Sequence, residues 1–101
     1  MHYKLIIALI ADALSDEVLD AARHAGATGS TIINNARGEG ATPRKTFFGL
    51  ELTSQTDVLL FLVDASKADA VLEAVSRAGN IGPGTGTGVA FLVDVEKALG
   101  V

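Results

Sequence analysis

Four apolar runs and two amphipathic stretches alternate along the chain. Tyr3–Ala11, Thr28–Ala36, Val58–Val63 and Val89–Val95 read as strands. The first, third and fourth are apolar at nearly every position, the pattern of a strand covered on both faces. Between them, Ser15 precedes Asp16 and Glu17, a capping residue followed by two carboxylates suited to the positive end of a helix. Val18, Leu19, Ala22 and Ala25 then mark an apolar stripe, and Gly26 is placed to end it. Further on, Ser66-Lys67-Ala68-Asp69 resembles a capping box with Asp in place of Glu. Ala68, Val71, Leu72, Val75 and Ala78 recur at helical spacing, with Gly79 as the stop.

The two helical stretches are related. V-L-D-A-A-R-H-A-G (Val18–Gly26) matches V-L-E-A-V-S-R-A-G (Val71–Gly79) at an offset of 53 residues with five identities. Upstream, L-I-A-D (Leu9–Asp12) is echoed by F-L-V-D (Phe61–Asp64). Two strand-helix-strand halves predict β-α-β-β-α-β, the ferredoxin-like α+β arrangement, with an antiparallel sheet and both helices on one face. Helices cover only that face, so the apolar second face is expected to pack against other copies of the chain.

Composition narrows the function classes. At 101 residues the chain reads as a single domain, 1–101. A net charge of -4 with no basic cluster argues against nucleic acid as a partner. The absence of cysteine excludes disulfides, thiolate metal sites and cysteine nucleophiles. The apolar run Leu5–Ala11 is too short to span a bilayer, and acidic helix-forming sequence follows it where a cleavage region would stand. A cytoplasmic protein without membrane insertion is expected. His2 and His24, the only histidines, form no helical metal-binding pair, and no base–nucleophile pair is evident. The expectation is therefore a protein that is not an enzyme and holds no metal.

Two loops remain as candidates for chemistry. The long one, about 37–56, carries Arg37 and then Arg44 and Lys45 beside Phe47 and Phe48. Its length exceeds what a hairpin needs, and Arg44, Lys45, Phe47 and Phe48 form a cationic and aromatic set of the kind enriched at partner interfaces. One reading has F-F-G-L-E-L extending the third strand, which leaves residues 37–45 free for function. The second loop, 79–88, contains N-I-G-P-G-T-G-T-G ahead of an apolar strand. It lies between helix and strand and lacks G-K-[ST], so no helix N-terminus would face an anion there. A phosphate would sit in a concavity of backbone N–H groups, helped by the Thr85 and Thr87 hydroxyls.

Taken together, G-x-T at Gly29–Thr31, R-G-E-G at Arg37–Gly40 and G-N-I-G-P-G at Gly79–Gly84 resemble the PII signalling proteins, more closely their short PII-like relatives. The last stretch is similar to that family's G-K-I-G-D-G, and the resemblance covers essentially the whole chain. It implies a homotrimer whose sheets pack inward. It also implies an adenine nucleotide (ATP, ADP or AMP, with magnesium as a candidate companion) in each cleft between subunits, and no tightly bound cofactor. Gly82, Pro83, Gly84, Thr85, Gly86 and Thr87 would surround the phosphates, Arg37, Gly38 and Gly40 would approach from the same side, and Thr31 with the backbone of Leu62 would hold the adenine. The long loop would then report the bound nucleotide to a target protein, a membrane transporter being the kind the resemblance suggests. The chain departs from the nitrogen-regulatory members in three ways: the loop is shorter and lacks their modifiable tyrosine, Thr85 replaces a lysine, and no basic segment follows the last strand. Alternatives are a nucleotide-independent trimeric scaffold and, more remotely, a copper-tolerance-type metal-binding trimer.

Overall fold

The computed structural model describes residues 2–36, 46–47, 50–51, 56–82 and 88–101. Strand β1 (Tyr3–Ala11) leads through a 3-10 turn, Asp12–Leu14, into helix α1 (Ser15–Ala25) and then strand β2 (Ser30–Ala36). Two short strands follow, β3 (Thr46–Phe47) and β4 (Leu50–Glu51). Strand β5 (Thr56–Asp64), a second 3-10 turn at Ala65–Lys67, helix α2 (Ala68–Ala78) and strand β6 (Gly88–Asp94) complete the order. The main sheet runs β2-β5-β1-β6 with every neighbour antiparallel, which is the ferredoxin-like topology expected from the paired halves.

The repeat seen in the sequence governs the structure. β1 and β5 each have nine residues and start 53 apart (56 − 3), and α1 and α2 each have eleven and also start 53 apart (68 − 15). Their buried positions coincide at the same offset, Ser15, Val18 and Ala22 in α1 against Ala68, Val71 and Val75 in α2. The halves diverge after the helices: residues 26–29 join α1 to β2, whereas residues 79–87 join α2 to β6.

Strand alternation divides the sheet into two faces. Ile6, Ala8 and Ile10 of β1 and Leu59, Phe61 and Val63 of β5 point at the helices and are fully buried with Val18, Val71 and Val75. Burying each large side chain is worth about 1.5–3 kcal/mol. On the other face Leu5, Ile7 and Leu9 oppose Leu62, Leu60 and Val58 of β5, and Val93, Phe91 and Val89 of β6. Among the described residues this second surface is only partly covered: its β1 and β5 residues are half-buried, and Val93 is 42% and Ile33 51% exposed. The strands that read as two-sided are apolar on a face that these residues leave partly to water.

Several boundaries differ from the sequence reading. β2 begins at Ser30, where pairing with Phe61 starts, and not at Thr28. β5 runs from Thr56 to Asp64, longer than Val58–Val63, because β1 pairs with it along its whole length from Ala11↔Thr56 to Tyr3↔Asp64. Thr56 therefore belongs to the strand and not to the long loop. β6 is Gly88–Asp94, and the Val95 N–H still donates to the Tyr3 carbonyl at 3.3 Å. F-F-G-L-E-L does not extend β5: Thr46↔Glu51 and Phe47↔Leu50 pair with each other in a separate two-stranded sheet. Such local pairing closes a shorter loop at lower entropic cost.

The helix starts also correct the sequence reading. Ser15 does not cap α1; it is the first helical residue, preceded by Leu14 without a side-chain cap, and it is turned inward. Nor does Ser66 open a capping box. Asp64 does the capping, accepting from the Ser66 N–H at 3.1 Å and from the Ser66 hydroxyl. At the C-termini Gly26 takes φ 124°, as its position required, whereas Gly79 stays at φ −84° and Asn80 adopts the left-handed φ of 51°.

Candidate functional site

Residues 28–31 and the lower halves of β1 and β5 enclose a groove of about 690 Å³ on the sheet face away from the helices. Its floor is apolar: Leu5, Leu60 and Leu62 are neighbours on that face, with Leu5 opposite Leu62 and Thr31 opposite Leu60. Its rim carries the hydroxyl-bearing residues Thr28, Ser30 and Thr31, and Tyr3 and Val101 stand at its sides. No Asp, Glu, Lys, Arg or His is among these lining residues. An apolar floor with a few convergent hydroxyls suits a flat, uncharged group with polar edges. A smaller groove of about 240 Å³ lies on the helix side of the same connector, lined by Leu19, Arg23 and Phe61.

Thr31 and Leu62, read from the sequence as the adenine-holding pair, are thus brought together in one groove. Gly82 lies just beyond Ile81, whose N–H donates to the Ser76 carbonyl at 2.8 Å past the end of α2. Pro83, Gly84, Thr85, Gly86 and Thr87 are outside the described residues, as are Arg37, Gly38, Gly40, Arg44, Lys45 and Phe48. Phe47 falls in β3. The end of the glycine run has a packing reason of its own. A Cβ on Gly88 would stand 2.8 Å from the Leu9 carbonyl oxygen and 3.0 Å from Ile10 Cδ1, so β6 could not pair with β1 this closely with a side chain there.

Thr31 and the end of the glycine run occupy opposite edges of the sheet. Thr31 is on β2 and Gly88 begins β6, three strand spacings apart. The row containing Thr31 passes through Leu60, Ile7 and Phe91, three residues from Gly88 along β6. These offsets amount to about 14 Å across the strands and about 10 Å along them.

Sequence reasoning missed one polar feature. The Ser15 hydroxyl donates to Asp57 Oδ2 at 2.8 Å, with both residues buried. The two are 42 residues apart, and no local pattern links them. At the other end of the sheet His2 Nε2 lies 2.7 Å from Asp94 Oδ1, joining the start of β1 to the end of β6 at the surface. His24 Nδ1 is 2.8 Å from the Asp20 carbonyl within α1. Asp64 is held below the ordinary carboxylate range, first by the Ser66 hydroxyl, then by the Ser66 N–H, with a smaller contribution from Lys67. Among the described residues no group of three or more His, Asp or Glu could hold a metal ion, and no helix is long and apolar enough to cross a membrane.

Two βαβ halves in ferredoxin-like order, with the long segment after β2 and the glycine run before β6, define a regulatory domain of the PII type. The family model of the nitrogen regulatory protein P-II matches residues 3–101, and the chain belongs to that family. Among solved structures it is similar to CPII of Thiomonas intermedia K12, a nitrogen regulatory PII-like protein bound there to ADP, AMP and bicarbonate. The TM-score is 0.71 and the identity 18%, over 100% of this chain and 98% of that one. CPII bound to ADP, AMP and acetate gives the same TM-score at 19% identity, covering 93% and 86%. A protein of Thermus thermophilus described as a PII-like signaling protein gives 0.63 at 21% identity, covering 94% and 88%. At these identities the likeness establishes the fold. No curated protein matches the chain.

Proposed function

We propose that the chain is a non-enzymatic, cytoplasmic PII-like signalling protein that works as a homotrimer. It binds an adenine nucleotide in clefts between subunits and regulates a target protein through loop 37–56. The observation that carries this reading is the division of the site. The apolar groove spans β1, β5 and β2 with Thr31 at the β2 edge, and the glycine run enters the sheet at the β6 edge. One nucleotide served by both surfaces would take its base from one copy and its phosphate cradle from the next. The partly exposed apolar face of β1, β5 and β6 supports the assembly, because self-association would remove Phe91, Val93 and Ile33 from water. The ADP and AMP held by CPII support the ligand class, and its bicarbonate or acetate suggests a small oxyanion as a co-ligand.

The target would be read through Arg44, Lys45, Phe47 and Phe48, with a membrane transporter as the kind of partner the family suggests. Isothermal titration with ATP, ADP and AMP, with and without magnesium and bicarbonate, tests the reading. Saturable binding of one adenine nucleotide per chain supports it. A folded trimer that binds none of them would favour the scaffold alternative.

A further inference from the structure

We propose that Tyr3 is a ligand-binding residue, its ring forming the aromatic wall against which the bound base stacks. The inference rests on the nucleotide reading above and deepens it. Tyr3 begins β1, on the sheet face away from the helices, and is half-buried at the side of the large groove beside Leu5. Among the described residues it is the only aromatic one lining that groove. Its hydroxyl has no hydrogen-bond partner among the described residues; the Val95 N–H bonds its backbone carbonyl and leaves the phenol untouched. Among the described residues no buried side-chain polar atom lacks a partner, so this hydroxyl is open to water and can be reached by a ligand in the groove. Here an aromatic side chain with a free hydroxyl borders a groove whose floor is leucine.

A second, independent observation concerns Gly29, which lines the same groove. Its φ lies outside the left-handed region, and a Cβ built on it meets no atom within 4 Å. Neither backbone conformation nor packing among the described residues calls for glycine there, in contrast to Gly88. Gly29 also lines the smaller groove, and the open space around it is what a closely approaching planar ligand could use. Leucine beneath, an aromatic face at the side and open space at Gly29 together fit a nucleobase better than a sugar or a phosphate. Base–aromatic stacking tolerates different bases, so Tyr3 adds affinity, and the rim hydroxyls of Thr28, Ser30 and Thr31 are left to discriminate base edges.

The chain supplies its own reporter. It has one tyrosine and no tryptophan, so its emission excited beyond the absorption of its phenylalanines comes from Tyr3 alone. Titration of the protein with ADP, corrected for nucleotide absorbance using N-acetyltyrosinamide, is expected to quench that emission saturably, with a midpoint equal to the calorimetric Kd. Inorganic triphosphate, which has no base, is expected to leave it unchanged. Tyr3→Phe is expected to bind ADP within about three-fold of wild type, and Tyr3→Ala roughly ten- to hundred-fold more weakly. If calorimetry shows ADP binding while the emission does not move, the inference is overturned and the nucleotide reading stands. An equal response to triphosphate also overturns it, because the ring would then be sensing a remote change. Should Tyr3→Ala fail to fold, the wild-type emission titration decides by itself. No heat with any adenine nucleotide removes both claims together.

Discussion

The hydroxyl of Ser15 at the start of α1 donates to the carboxylate of Asp57 at the start of β5, 2.8 Å away in the interior. Ser15 is 5% and Asp57 6% exposed. The bond ties the first turn of the helix to the strand that emerges from the long loop, one residue after Thr56. A carboxylate beside the free N–H groups of a helix's first turn is also well placed electrostatically. The serine thus serves the helix start through a tertiary contact and not as a cap.

Removing the donor strands a buried acceptor. Ser15→Ala is expected to lower the unfolding free energy by about 1–3 kcal/mol, the cost of an unsatisfied buried polar group. In urea denaturation the double variant Ser15→Ala/Asp57→Ala should lose less than the sum of the single losses, since the two share one bond. Strict additivity would show that the contact contributes nothing.

Two glycines should answer differently to the same methyl group. At Gly88 a Cβ would press on the Leu9 carbonyl and Ile10, and Gly88→Ala is expected to cost about 1–3 kcal/mol of stability. At Gly29 the Cβ meets nothing, and Gly29→Ala should stay within about 0.5 kcal/mol of wild type. Thermal unfolding of both variants checks the contrast, and equal losses would refute it.

Acid should weaken the turn before α2. Because the folded-state pKa of Asp64 is depressed, chiefly by the Ser66 hydroxyl, its stabilising effect is complete above the ordinary value of 3.8 and fades as pH falls through the folded value. Wild type and Asp64→Asn should therefore differ by a constant amount near neutrality and converge in stability below about pH 4. A difference that persists unchanged into acid would assign the effect to shape and not to charge.

Phe91→Glu places a carboxylate in the apolar face away from the helices. Native mass spectrometry is expected to find a trimer for wild type and smaller species for the variant, with circular dichroism preserved. A variant as trimeric as the parent would move the interface elsewhere.

Much of this was legible in the chain. The offset of 53 residues between Val18–Gly26 and Val71–Gly79 located both helices and reappears in the starts of β1 and β5. The two-sided apolar strands pointed to a second face packed against other copies, and the described residues of one chain leave that face partly exposed. What stayed hidden was non-local. Ser15 looked like a cap because serine before two acids usually is one, and its partner lies 42 residues away. Gly79 looked like a helix stop because glycine at that place in the first half is one. In the second half Asn80 takes the left-handed turn, and Gly79 is kept small by Ile10 and Val75. Residues 46–51 could not be placed because a short aromatic run fits an extended strand and a local pair equally well.

The most direct test of a nucleotide site shared between copies is complementation. Thr31→Glu puts a carboxylate in the base groove and Gly84→Asp puts one in the glycine run, so each variant alone should bind ADP poorly. Unfolding and refolding an equal mixture should create clefts with two intact surfaces, restoring about a quarter of the wild-type sites by calorimetry. Mixed trimers that bind no better than either parent would place both surfaces in one subunit and contradict the account.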